Sequence, residues 1–306
     1  MIKAVNLTKR FDGFTALNSI GCTIPGGCVY GMVGSNGAGK STFLRLVAGV
    51  YKPDGGSLTI DGEPVYENPY KKGKIAFVAD ETFFLPGASL SRMAVFYAAG
   101  YPSFDRKYFT VLTKRFGLDP AKPIGSFSKG MKRQAATILA LSCRPEYYLF
   151  DETFDGLDPV MRKLVRSLIC DDVLERRATA VITSHSLREL EDTCDQLALL
   201  HKGGVVLESD VGRLKTSLFK IQLAFPWEYD RGLLDGLEIL HFMKRGSVSN
   251  FIVRGDRDET VNRLRVLQPT VLDVLPLSLE EVFTYEMEAL GYAFSDDEIH
   301  EGGVII

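Results

Sequence analysis

The chain has 306 residues, 45% apolar and 25% charged, which is ordinary globular usage and excludes disordered, collagenous and disulfide-scaffold classes. Thirty-six Lys and Arg against 39 Asp and Glu leave a net charge of -3, without the basic excess of a nucleic-acid-binding chain. The length predicts two domains.

Val29 to Val33 predicts a strand that runs into a Gly-rich turn, and Thr42 to Val50 the helix after it. Lys74 to Val78, Tyr147 to Phe150 and Ala178 to Thr183 predict three further buried strands. Gln196 to Leu200 and Gly204 to Leu207 read as two more, paired with each other. Strands separated by helical stretches predict an α/β fold with a mostly parallel sheet. Residues 86–145 carry helical patterns instead, notably Ser128 to Cys143, and predict a helical insertion subdomain. Beyond 210 the character changes. Phe219 to Phe225, Leu237 to Phe242 and Phe251 to Arg254 predict strands around a helix near Glu259 to Leu267, closed by a helix from Ser278 to Leu290. The expected organisation is therefore a first domain over 1–210, a small α+β accessory domain over 211–290, and an acidic tail over 291–306 with Asp296, Asp297, Glu298 and Glu301.

The five cysteines (Cys22, Cys28, Cys143, Cys170, Cys194) form no Cys-x-x-Cys pair and no zinc-spaced cluster, so reduced, mostly buried thiols in a cytosolic protein are expected. Met1-Ile2-Lys3 does not start an apolar leader. The uncharged stretch 13–39 is broken by glycines and Pro25, and 82–104 by Pro86, Gly87, Arg92, Gly100 and Pro102, so neither predicts a membrane span. A role at a membrane would need another chain to supply it.

Residues 34–41 read Gly-Ser-Asn-Gly-Ala-Gly-Lys-Ser and fit the phosphate loop G-x-x-x-x-G-K-[ST]. Gly34, Ser35, Asn36, Gly37, Ala38 and Gly39 let backbone N–H groups turn inward around phosphate oxygens, and the helix that follows adds its positive end. Lys40 is expected to reach the β- and γ-phosphates, and the Ser41 hydroxyl to bind Mg²⁺. Tyr147 to Glu152 is an apolar strand that ends in two acids at the sheet edge where the phosphates would lie. Asp151 is expected in the Mg²⁺ shell and Glu152 as the general base for the attacking water. No Asn-Lys-x-Asp guanine reader is present, which disfavours a GTPase.

Phe127-Ser128-Lys129-Gly130-Met131 opens a helix about 20 residues before that strand. Alone, Ser128 reads as a helix N-cap. In this order of segments it resembles the Leu-Ser-Gly-Gly-Gln signature of ABC-type ATPases, with Lys129 in place of a Gly and Met131 in place of the Gln. Phe154-Asp155-Gly156-Leu157-Asp158-Pro159 is similar to the family's D-loop, and Thr183-Ser184-His185-Ser186 to its switch histidine. Phe11 before Asp12-Gly13 looks like the aromatic that stacks on adenine, although a core or turn aromatic reads the same way. The chain thus resembles the ATP-binding subunit of an ABC transporter over 1–210. It is most similar to drug- and antibiotic-export subunits, including the bacitracin type, whose C-terminal region has a helix like Ser278 to Phe283. One departure follows the strand ending at Val78. Where the family places a Gln that contacts Mg²⁺ and water, this chain has Ala79-Asp80-Glu81. Asp80 is the nearest positional equivalent, with Glu81 the alternative.

The resemblance implies a P-loop ATPase on the cytoplasmic face of a membrane, with ATP and Mg²⁺ as cofactors and a transmembrane permease as partner. It also implies a head-to-tail dimer, with itself or with a related subunit. ATP would lie on Gly34 to Thr42 of one chain and under Ser128, Lys129, Gly130 and Met131 of the other, with Asp158 lining the same interface. His185 would bridge Glu152, water and γ-phosphate. The competing expectation is a soluble ABC-type ATPase of translation or DNA maintenance. A single phosphate loop and the lack of sustained heptads count against it, and no nucleic-acid partner is expected.

Overall fold

The computed structural model describes residues 1–289; the acidic tail expected over 291–306 and the end of the helix expected to reach Leu290 lie outside them. The described residues form two compact units, one covering Met1–Glu208 and a second starting at Ser209.

The first unit begins with β1 (Ile2–Phe11) and β2 (Phe14–Ile24), followed by β3 (Val29–Val33) and α1 (Lys40–Val47). After β4 (Gly55–Ile60), β5 (Glu63–Pro64) and the single turn α2 (Pro69–Lys72) comes β6 (Ile75–Val78). The helical stretch holds α3 (Leu90–Gly100), α4 (Arg106–Arg115), a 3-10 turn at Ile124–Ser126 and α5 (Lys129–Ser142). Then follow β7 (Tyr147–Asp151), α6 (Pro159–Arg176), β8 (Thr179–Ser184), α7 (Leu187–Glu191), β9 (Gln196–His201) and β10 (Gly204–Asp210), within which the first unit ends.

Six strands form one sheet in the order β10-β9-β3-β8-β7-β6. β3, β7 and β8 are buried along their whole length, as central strands covered on both faces must be. Parallel pairing sets Val33 beside Ser184 and Asp151 beside Thr183. The loops after β3, β7 and β8 therefore leave the sheet at one edge, where ligands of open α/β sheets bind.

A second sheet, β2-β1-β4-β5, is antiparallel and was not legible in the sequence. Its pairing with β2 shifts register at three places along β1, and Asn6 and Ser19 adopt left-handed φ of 50° and 54°. These irregularities break the period-two alternation that marks a half-buried strand. Phe43 and Leu44 of α1 join Leu7, Leu17 and Ile20 of this sheet to Tyr30 and Leu149 of the other in one core. The phosphate-loop helix is thereby wedged between two sheets.

Three helices of the insertion start on side-chain caps. Ser89 accepts from Arg92 N, Asp105 from Lys107 N and Tyr108 N, and Ser128 from Met131 N. Among the described residues no helix is long and apolar enough to cross a membrane.

The second unit contains α8 (Val211–Ser217), β11 (Leu218–Ala224), a 3-10 turn at Arg231–Leu234, β12 (Glu238–Arg245), β13 (Val248–Arg254), α9 (Arg257–Val266), β14 (Val271–Leu275) and α10 (Leu279–Ala289). Its antiparallel sheet has the order β12-β13-β11-β14. Phe219, Ile221, Leu223, Phe251 and Val253 point from one face of it onto Leu264 of α9. The five-residue β14 is an addition to the predicted strands.

Candidate functional site

The loop between β3 and α1 is shaped by glycines that no other residue replaces. Gly37 and Gly39 have φ of +82° and +107°. A Cβ on Gly34 would lie 2.3 Å from the Leu200 carbonyl oxygen, and one on Gly39 2.7 Å from that of Ala16. The left-handed Gly39 opens α1 at Lys40, two residues before the predicted start, and no side chain caps it. Its first-turn N–H groups are left without a side-chain acceptor and fit a phosphate.

Lys40 is buried at 6% exposure and folds back over the loop. Its Nζ donates to the carbonyl oxygens of Gly34 (2.5 Å) and Ser35 (3.2 Å) and lies 3.3 Å from Glu152 Oε1. The Ser41 hydroxyl donates to Asp151 Oδ1 at 3.0 Å, and the Thr183 hydroxyl to the same oxygen at 2.7 Å. Asp151 is fully buried, and its Oδ2 has no hydrogen-bond partner. An orphaned buried carboxylate oxygen next to a serine hydroxyl fits a hard divalent cation, which takes oxygen ligands.

Glu152 follows with φ of +48°, a left-handed conformation unusual for a side chain with Cβ. Its N–H donates to Thr183 O (3.2 Å) and Thr183 Oγ1 (3.1 Å), which ties the turn to β8. Oε2 accepts from the His185 N–H at 3.3 Å and lies 2.9 Å from His185 Nδ1. The turn carrying His185 is set by the Ser184 hydroxyl, which donates to Glu189 Oε2 at 2.6 Å and accepts from Ser186 N at 3.0 Å. Lys40, Ser41, Asp151, Glu152 and His185 are thus joined in one network.

The other expected site residues are placed more openly. Asn36, Gly37, Ser128, Lys129 and Asp158 are exposed, and so is Phe11 at the end of β1. Phe11 packs edge-on against Tyr51, with ring centroids 5.2 Å apart, and Lys9 Nζ lies 5.1 Å above its ring. Ser128 caps α5, as it reads in isolation, and Asp158 caps α6 by accepting from Val160 N and Met161 N at 3.0 Å each. Lys129 pairs with Asp155 at 2.9 Å and holds that carboxyl below its usual range. A Cβ on Gly130 would lie 2.9 Å from the Gly156 carbonyl oxygen. The signature segment is therefore seated on the 154–158 loop of its own chain.

Asp80, expected among the metal ligands, is engaged by an arginine. Its Oδ1 accepts from Arg133 Nη2 at 2.7 Å, an ion pair. Arg133 and Thr183 are the site residues that the sequence reading passed over. Both lie inside quoted segments, but an arginine five residues into a helix gives no sign that its head reaches back to two strand ends.

Comparison with known proteins agrees with this geometry. A family model described as ABC transporter matches residues 17–155. Over 283 residues, 92% of this chain and 97% of the relative, the sequence is 31% identical to the ABC transporter ATP-binding protein YtrB of Bacillus subtilis. The chain belongs to the ATP-binding subunits of ABC transporters. The bacitracin transport ATP-binding protein BcrA of Bacillus licheniformis is 30% identical, covering 70% of this chain and 71% of the relative. Among solved structures, an ATP-binding subunit of an ABC transporter superposes with a TM-score of 0.65 at 22% identity, over 70% of this chain and 92% of that one. The dimeric MJ0796 cassette bound to ADP and Pi gives 0.63 at 22%, over 69% and 99%. These two show the fold. As a member of this family the chain is an ATPase.

Proposed function

We propose that this chain binds and hydrolyses ATP to power export through a separate transmembrane permease. The observation that carries the reading is the network in which one carboxylate, Glu152, meets both Lys40 and His185 while Asp151 keeps one buried oxygen unpartnered. Export is favoured because relatives carry names of bacitracin transport, lantibiotic transport and daunorubicin/doxorubicin resistance.

Lys40 gives up its carbonyl and Glu152 partners for the β- and γ-phosphates, which removes the cation from the base. Glu152 then takes a proton from the attacking water, and His185 holds the carboxylate in line. Ser41 and Asp151 would hold Mg²⁺, which when bound neutralises phosphate charge. The γ-phosphate needs donors on a second side. The Ser128 hydroxyl and the main-chain N–H groups of the Ser128–Met131 segment supply them from a second nucleotide domain in a head-to-tail dimer, with Asp158 lining the same interface. Phe11 stacks on the adenine.

An apolar groove of about 750 Å³ runs between β6 and the helical stretch, lined by Phe83, Leu85, Met93, Phe96, Tyr97 and Tyr101. Phe83 is 78% exposed there. This groove supports docking of the permease at the cytoplasmic membrane face, beside the strand end that carries Asp80. Residues 211–289 act as an accessory domain within the second compact unit. The test is capture of the tagged chain from detergent-solubilised membranes. Co-purification of a multi-span protein that stimulates its Mg-ATPase is expected; ribosomes or DNA in its place would overturn the reading.

A further inference from the structure

Arg133 is among the largest side chains sealed in the interior, at 2% exposure. A guanidinium keeps its charge at any ordinary pH, so burying it demands oxygens around it. It has four, from two strand ends. Nη2 donates to the Asp80 carbonyl at 3.2 Å and to Asp80 Oδ1 at 2.7 Å. Nη1 donates to the Asp151 carbonyl at 3.3 Å and to that of Glu152 in a shorter contact. The fork thus spans the loop after β6 and the end of β7, and it grips the main chain of the residue held at positive φ.

We infer that Arg133 is a positioning residue for ATP hydrolysis: it neutralises Asp80, so that a carboxylate is tolerated at this strand end beside the phosphates, and it fixes the backbone that aims the Glu152 carboxylate. The inference rests on the proposed role of Glu152. Three features support it. Asp80 is 47% exposed, so one oxygen reaches solvent while the other is spent on Arg133. An unpaired carboxylate there would add negative charge where phosphate charge must be stabilised. A left-handed non-glycine residue persists only where its surroundings restrain it, and the Arg133 contact with the Glu152 carbonyl is such a restraint. Arg133 also lies two residues beyond the Ser128–Met131 segment on α5, so movement of that helix reaches the main chain of Glu152 through this side chain.

The test is a cycle of R133Q, D80N and R133Q/D80N, read as kcat, KM and ATP affinity in EDTA by calorimetry. R133Q is expected to lower kcat about tenfold or more, the scale of losing one positioned group, with metal-free affinity within about threefold. D80N removes the charge that Arg133 masked, so the double variant is expected to regain about fivefold over R133Q, the non-additivity of coupled neighbours. Independent, multiplying losses would overturn the inference. R133K, which keeps the charge but not the fork, is expected to fall between wild type and R133Q. If R133Q does not fold, D80N alone decides. A lower kcat at unchanged metal-free affinity supports the pair, whereas unchanged turnover, or a change confined to the Mg²⁺ requirement, overturns it. E152Q run alongside separates the two readings. Full turnover in E152Q removes the base assignment itself, whereas loss there with an unaffected R133Q removes only the role of Arg133.

Discussion

His185 Nδ1 lies 2.9 Å from Glu152 Oε2, and the main-chain N–H of the same histidine donates to that oxygen at 3.3 Å. Two contacts from one residue fix the direction of the carboxylate, and the Lys40 ion pair at 3.3 Å holds its other oxygen. Glu152→Gln keeps this shape but cannot take a proton. Turnover is expected to fall by about 100-fold or more, the usual contribution of a general base. ATP binding persists, and an ATP-dependent dimer accumulates. Phosphate release and light scattering with ATP check this; full turnover would remove Glu152 from the base role.

Lys40 occupies its own cradle, bonded to Gly34 and Ser35 carbonyls. Those bonds place Nζ at the centre of the loop before nucleotide arrives. Lys40→Ala is expected to weaken ATP binding about tenfold or more, roughly 1.4 kcal/mol. Calorimetric titration measures it, and an unchanged Kd contradicts the cradle.

The phosphate loop and the Asp-Glu and Ser-His strand ends were legible because each joins an apolar run to a fixed polar end, and the parallel register alone brings such ends together. The β1–β2–β4–β5 sheet was not, because bulges at Asn6 and Ser19 hide its alternation. Arg133 was not legible for a different reason. Its partners are mostly carbonyl oxygens, which every residue has, so no side-chain pattern announces the contact. Asp80 read as a metal ligand by position, and only the fold shows that a buried guanidinium pairs with it.

Burial pushes the thiols of Cys22 and Cys143 up from 9.0 to about 12, and that of Cys28 up to about 11 with help from the Asp195 charge. The folded state holds these protons more tightly than the unfolded chain. Stability from them is complete below pH 9 and is lost as pH rises from 9 towards 12. Under reducing conditions the melting temperature is expected to be flat from pH 7.5 to 8.5 and to fall by pH 10.5. Ellman's reagent at pH 8 is expected to react slowly with the native chain and with all five thiols in denaturant. Rapid native labelling contradicts this burial.

Asp172 is 1% exposed and accepts from the Tyr148 hydroxyl at 2.5 Å and from Arg144, with Arg176 at 3.3 Å. Asp172→Ala leaves two guanidinium groups facing each other around a buried phenol. A loss of about 3 kcal/mol in urea unfolding is expected, since breaking a buried pair strands its partner. Asp172→Asn, which keeps the shape, loses less. Asp172 of α6 thereby holds Tyr148 of the strand that ends in Asp151, and a neutral Asp172→Ala contradicts that link.

Gly130 has no space for a side chain. A Cβ would lie 2.9 Å from the Gly156 carbonyl oxygen, and both partners are backbone or bonded to it, so neither yields easily. Gly130→Ala must therefore lift the start of α5 off the 154–158 loop by a few tenths of an ångström, against the Lys129–Asp155 pair. The Gly34–Thr42 cradle is untouched, so ATP affinity is expected to stay within about twofold. Turnover requires that the signature and the carboxylate network keep register, and a drop of about tenfold is expected, since small misplacements are amplified in rate. Gly125→Ala, where a Cβ meets nothing within 4 Å, serves as the control with wild-type turnover. Steady-state ATPase assays on the two variants decide: equal rates would show that the close approach at Gly130 is incidental to catalysis.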